Sequence, residues 1–229
     1  MKKTAARLCT LFLILFFISH RDVFGRSIEY VKVIEVSGAA QSLSPVSASW
    51  KAIRKNTFLK NNTKIRTAEQ SIADFGFDGR LENVARLGEG STVDFLAVSP
   101  IKIFLEKGSL SIFSEGNRLP GAVKVVTKDM SVEVKLGGCV VSVSDRGTTV
   151  KVFSDKVELT DFARHKSGIK TRTVREGFQF ICGLSHPEGV TERMKYADYT
   201  GWQGWIKQLY ERKDRLVEIS IDKIVEQNS

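Results

Sequence analysis

From Tyr30 to about Phe180, apolar and polar residues alternate in short runs broken by Gly, Asp, Asn or Pro. Successive side chains of a strand point to opposite faces, so each run predicts a strand with one apolar and one wetted face. Val31-Lys32-Val33-Ile34-Glu35-Val36 opens the series, and Gly38-Ala39-Ala40 follows as a turn or bulge. Residues 42–50, rich in Ser, read as a loop, and Trp50 to Asn56 as a short turn of helix. Ile65 to Thr67 and Ile72 to Phe77 predict strands closed by the hairpin signal Asp78-Gly79. Leu81 to Leu87, Thr92 to Leu96 and Ile101 to Leu105 follow, with Leu110 and Ile112 resuming after Lys107-Gly108. Pro120-Gly121 turns the chain before Val123 and Val125, and Val132, Val134 and Leu136 then alternate with polar residues. Gly137-Gly138 interrupts before Cys139, Val141 and Val143. Thr148 to Phe153, Val157 to Phe162, Ile169 to Val174 and Gly177 to Phe180 complete the pattern around a polar excursion at Ala163 to Ser167.

About thirteen short strands at this spacing predict an all-β domain. Its apolar faces need covering, which layering or coiling of the sheet provides. No exact repeat emerges, so the expected architecture is an irregular β-roll or β-helix-like sandwich. The period changes after Thr191, where Met194, Trp202, Trp205, Ile206, Leu209, Leu216 and Ile219 mark a broken helical stripe capped at Thr191 or Asp198. Trp202 and Trp205 share one helical face, either clamping this tail onto the β domain or docking a partner. Peripheral membrane contact is a further use for such aromatics.

The N-terminus adds location. Lys2, Lys3 and Arg7 precede the apolar run Leu8 to Ile18, and polar residues then lead to Val23-Phe24-Gly25. That order describes a secretory signal peptide, too short for a membrane span of roughly 20 residues. The expectation is a leader at 1–25, removed after Gly25, with a retained N-terminal anchor as the alternative, then a β domain at 26–183 and a helical tail at 184–229, working in the periplasm or otherwise outside the cytoplasm. Without the leader, 31 basic and 25 acidic residues leave a formal charge of +6. That excess favours anionic envelope partners but not nucleic acid, because both signs are interspersed. Lys102, Lys107, Lys124 and Lys135 would form an anionic-ligand face, for an acidic glycan, if their strands align. Cys9 sits at the start of the apolar run, badly placed for lipid modification. Cys139 and Cys182 remain, either as one disulfide of an oxidising compartment or as small buried hydrophobes.

No catalytic motif assembles. A zinc site would need Cys139, Cys182, His165 and His186 to converge, yet Gly183 and Pro187 argue against a helical Cys182–His186 pairing. Asp74, Asp78 and Glu82 flank a turn without a calcium-loop spacing. The glycine clusters lack a phosphate-loop pattern. No cofactor, no metal and no enzymatic activity are expected, a hydrolase with scattered residues being the least favoured alternative.

Several segments, in order, resemble the extracytoplasmic domain of FecR-type proteins. Lys60-Asn61-Asn62-Thr63-Lys64-Ile65-Arg66-Thr67 is similar to that domain's opening turn and strand. Ser71 to Arg80 resembles its alternating strand and Asp-Gly turn, and Ile103 to Leu110 its apolar strand before a glycine turn. Val123 to Thr127 and Val132 to Val134 fit the following pair, and Gly137 to Val143 its core segment. The resemblance spans roughly residues 57–160 and implies a sensing or protein-interaction module of envelope signalling, with no catalytic residue to transfer. The anti-sigma region and central membrane helix of a full regulator are not evident, so the domain is expected to act alone on an exported chain. The sequence therefore predicts a non-enzymatic binding module for a cell-envelope protein or assembly, with acidic-glycan binding or a structural envelope role as alternatives.

Overall fold

A computed structural model describes residues 30–116, 122–162 and 170–227. The leader, the Pro120-Gly121 turn, the Ala163 to Ser167 excursion and His165 lie outside the described residues. The alternating runs form two β layers over a shared apolar core, with one long helix against the outside of the first layer. This is an all-β sandwich or roll with a helical tail.

Sheet I runs from edge to edge through β4 (Phe58–Leu59), β1 (Val31–Ser37), β6 (Ile72–Gly76), β7 (Asn83–Leu87), the second half of β9 (Ile101–Ser114), β12 (Gly137–Ser144), the first half of β13 (Gly147–Asp161), β15 (Phe178–Gly183) and β16 (Val190–Arg193). Sheet II contains β3 (Lys51–Ala52), β2 (Ala40–Leu43), β5 (Thr63–Thr67), β8 (Thr92–Val98), the first half of β9, β10 (Val123–Val126), β11 (Met130–Val134), the second half of β13 and β14 (Lys170–Arg175). Val33, Ile65, Phe75, Phe95, Leu105, Ile112, Val132, Val150 and Leu159 fill the space between them. Phe95 receives the edges of Phe75 and Phe77 at 5.3 and 6.5 Å between ring centroids.

β9 and β13 belong to both layers. Lys107 pairs with Thr92 in sheet II, and the next residue, Gly108, pairs with Val143 in sheet I. In β13 the change falls between Asp155, opposite Gly137, and Lys156, opposite Arg175. Both corner residues take positive φ, +87° at Gly108 and +58° at Asp155. The inward set shifts by one residue at each corner, from Ile101, Ile103 and Leu105 to Leu110 and Ile112, and from Val150 and Val152 to Val157 and Leu159. Alternation alone therefore reads each of these strands as two, divided at Lys107-Gly108 and Asp155-Lys156. The structure makes each of them one.

Two other corners share a chemistry. In Glu69-Gln70-Ser71 and Glu89-Gly90-Ser91 the middle residue has positive φ, and the serine Oγ donates to the glutamate carbonyl at 3.1 and 3.0 Å. Each Oγ also accepts a backbone N–H from the neighbouring corner, Ala39 for Ser71 and Ser109 for Ser91, both at 2.9 Å. Buried corner amides are thereby satisfied where ladder pairing stops.

Two local expectations are corrected. Trp50 to Asn56 forms no helical turn; Lys51–Ala52 pairs with β2 instead, and Asn56 turns the chain at φ +67°. The stretch from 184 onward is not all helical tail, since β16 adds a strand to sheet I before α1 (Tyr196–Gln227) begins. Among the described residues no helix is long and apolar enough to cross a membrane.

The cleft beneath the C-terminal helix as candidate functional site

The outward face of sheet I breaks the alternation. Ile34, Val84, Phe113 and Phe153 occupy positions that a wetted face would give to polar residues; Phe113 and Phe153 meet Trp202 of α1, and Ile34 and Val84 join the apolar cluster that contains Trp205 and Leu209. On the helix, Trp202, Trp205, Ile206 and Leu209 recur at the spacing of one face and cover them. Trp205 is 3% exposed and Leu209 is buried beside Leu81. Trp202 stacks on Phe153 with ring centroids 4.7 Å and planes 7° apart, and it meets the edges of Phe113 and Trp205. Gly138 makes room for it, since a Cβ there would lie 2.3 Å from the indole ring. Both tryptophans, weighed above as partner-docking residues, are thus turned onto the chain's own sheet.

The helix start is fixed by Asp198, whose carboxylate accepts the Lys195 backbone N–H at 2.8 Å, reaching back as in a capping box. Its other oxygen accepts Lys151 Nζ from β13 at 2.7 Å. That ammonium hydrogen bond, ahead of the Lys195 amide, holds the Asp198 carboxyl below the usual carboxylate range. Thr191, the other cap considered, lies in β16. α1 runs unbroken through Gly201 and Gly204.

Further along, an ionic network joins helix and sheet. Asp74 of β6 is 2% exposed and takes Arg86 in a two-point contact, Nε at 2.6 Å and Nη2 at 2.8 Å. Arg212 of α1 reaches the same carboxylate at 2.7 Å and also pairs with Glu35 of β1. Arg86 lies over the Trp205 ring, 5.5 Å from its centroid, and Lys213 pairs with Glu115 at 2.6 Å. Charged hydrogen bonds of this kind are the stronger class, and they fix where the helix stands.

Beside this network, with Glu35 and Arg212 among its lining residues, lies an open cleft of about 740 Å³ between α1 and β1. Ile34 and Leu81 give it an apolar floor, while the neighbouring Val36 packs against the core between the sheets. Lys32 and Lys55 stand on the strand side, Glu211, Arg212 and Arg215 on the helix side, and the Asp78-Gly79 turn closes one end. The Asp78 carboxylate is committed to that turn, accepting N–H groups of Arg80, Glu82 and Asn83 and the Asn83 side-chain amide at 2.8–3.1 Å. With Asp74 held by two arginines, the Asp74, Asp78 and Glu82 cluster is built for structure and not for calcium. Among the described residues no group of three or more His, Cys, Asp or Glu is placed to hold a metal ion.

The remaining candidates are scattered. Cys139 pairs with Val152 and Cys182 with Thr148, on opposite sides of β13 and four positions apart along it. At about 3.3 Å per residue that offset alone exceeds the Cα separation a disulfide spans. The Cys139–Cys182 bridge therefore does not form in this fold. Both thiols are buried, and burial pushes the Cys139 thiol up to about 12. Cys182 borders a second hollow of about 50 Å³ with Asp129 and Asp161, near the size of a water or two. His186 lies in the adjoining turn.

The four lysines do not make one positive face. Lys102 and Lys124 are register partners, but the same row continues to Glu133 and Glu158. Lys135 is paired with Glu158 at 3.1 Å, which raises its pKa, and Lys107 stands apart at the corner. Sequence reasoning missed the cleft itself. Its signal was present in Ile34, an apolar residue out of phase on the wetted side of β1.

No family model matches the chain, and no curated protein matches it. Two solved structures of a candidate anti-sigma factor from Parabacteroides distasonis are similar to it, each 16% identical over 61% of this chain with a TM-score of 0.48. The match spans 63% and 64% of those chains, less than two thirds of their length. Likeness at this level carries no function to the present chain.

Proposed function

We propose that the chain is an exported, non-enzymatic binding module that engages a cell-envelope protein or assembly through the cleft between α1 and β1. The cleft carries this reading: it is an open hollow of about 740 Å³ beside a filled core, within the roughly 300–1,000 Å³ of typical ligand sites. An apolar floor with charges of both signs at its rim suits a peptide segment, whose apolar side chains need burial and whose polar groups need partners. Export rests on the leader pattern. A signalling role would require the partner to favour one placement of α1 over another, and the helix is held by the polar contacts that such a shift would exchange.

The test is site-specific photocrosslinking in whole cells, with the reactive group at Gln208 or Gly79 in the cleft and, as comparison, at Lys124 on sheet II. The expected result is one envelope protein recovered from both cleft positions and not from sheet II, lost when Leu81 is replaced by Asp. Equal recovery from all three positions, or none from the cleft, overturns the assignment. Acidic-glycan binding has weaker support, because the Lys102–Lys124 row is balanced by Glu133 and Glu158.

A further inference from the structure

Between Glu35 and Glu69 the chain holds six cations, Lys51, Arg54, Lys55, Lys60, Lys64 and Arg66, and no carboxylate. Lys64 is paired with Glu106, and Arg66 is hydrogen-bonded to Gln41 and lies over Trp50. Lys55 and Lys60 are exposed, and no described residue supplies either with a counter-anion. In the β1–β4 register Val31 faces Leu59 and Lys32 faces Phe58. Val31 and Leu59 are buried, so Lys32 and Phe58, with Tyr30 and Lys60 flanking them, lie on the outward side of the sandwich rim. Tyr30 and Phe58 are 51% and 55% exposed, their rings edge to face with centroids 4.6 Å apart.

We propose that this rim, made of Tyr30, Lys32, Lys55, Phe58 and Lys60, seats the domain on an anionic lipid surface. Aromatic rings rest well at the headgroup level of a bilayer, and lysines on flexible stems reach its phosphates. Each such lysine strengthens attachment to an anionic leaflet about fivefold near the surface. A glycan is the poorer fit. Sugar rings stack on open aromatic faces, whereas the edge-to-face pair sets one ring's edge against the other's face. Lys32 and Lys55 also line the cleft, whereas Tyr30, Phe58 and Lys60 do not, so changes at these three alter the rim and leave the cleft lining intact.

The experiment is co-sedimentation of the chain without residues 1–25 with vesicles containing about one quarter phosphatidylglycerol, against neutral phosphatidylcholine vesicles. Binding is expected to the anionic vesicles alone and to weaken at least tenfold as salt rises from about 0.05 to about 0.5 M. Lys60→Glu should weaken it about tenfold or more, because one positive charge is lost and one negative charge is gained at the same position. Tyr30→Ser with Phe58→Ser should weaken it several-fold while leaving the salt dependence in place. Lys102→Glu with Lys124→Glu, on the far sheet, should leave it within twofold. Absent binding, or equal loss in the far-sheet variant, overturns the proposal; so does attachment to a soluble acidic polysaccharide in preference to vesicles. The substituted rim side chains are exposed, and an unchanged thermal unfolding midpoint in each variant keeps a folding defect from mimicking the effect.

Discussion

At the scale of single residues, the corners carry the most demanding stereochemistry. Gly108 combines φ +87° with a position where a Cβ would lie 2.5 Å from Ser91 Cα. Any side chain there meets both backbone strain and a backbone clash that no rotamer relieves. Gly108→Ala should therefore lower unfolding free energy by about 2 kcal/mol or more, read as a fall in urea midpoint at unchanged slope. Gly90→Ala is the matched control, since its Cβ would meet nothing within 4 Å although its φ is also positive, +57°. An equal loss in both variants would place the cost in conformation alone and not in the close approach to Ser91. Serine chemistry at the corners was in the sequence as Glu-x-Ser, but its role depends on an amide brought from another corner.

At the scale of elements, α1 is attached by an aromatic seam in its first turns and by arginine pairs further along. The Asp198–Lys151 contact ties its N-terminus to β13. Because the native Asp198 carboxyl is held below the usual range, its ionised form favours the folded state. This contribution is present above the unfolded carboxylate pKa of about 3.9 and fades as pH falls through that value and then through the lower native one. Asp198→Asn should thus reduce stability at neutral pH and flatten the acid dependence below about pH 4. Thermal unfolding midpoints of both proteins from neutral to acid pH measure this. Parallel curves would mean that the contact does not contribute. The strand elements themselves were largely legible, because alternation and turn residues act locally. β9 and β13 were not read as continuous, since the phase shift at each corner imitates a strand end.

At the scale of the whole molecule, β9 and β13 make the two sheets one cooperative unit. Neither sheet can lose its pairing without opening a strand that the other also uses. Native-state hydrogen exchange should accordingly place core amides of β7 and β12 in sheet I and β8 and β11 in sheet II in a single class, opening with the same free energy and denaturant dependence. Two classes divided by sheet would refute the shared-strand account. The cleft also belongs to this scale, because β1, the Asp78 turn and the middle of α1, Gln208 to Arg215, meet only when sheet I is formed and the helix is docked on it.

The one-dimensional order of residues determined the β character, most strand positions and the helical tail, because periodicity and turn propensity act over a few neighbouring residues. It also contained the acid-free basic run from Lys51 to Arg66, visible to charge counting alone. Only the tertiary structure decided that Cys139 and Cys182 stay apart, that Trp202 and Trp205 turn inward, and that the four lysines divide among balanced neighbours. Each of those outcomes depends on strand register and on which sheet face the helix covers. Such distances are set by packing between segments far apart in the chain, and local pattern does not encode them.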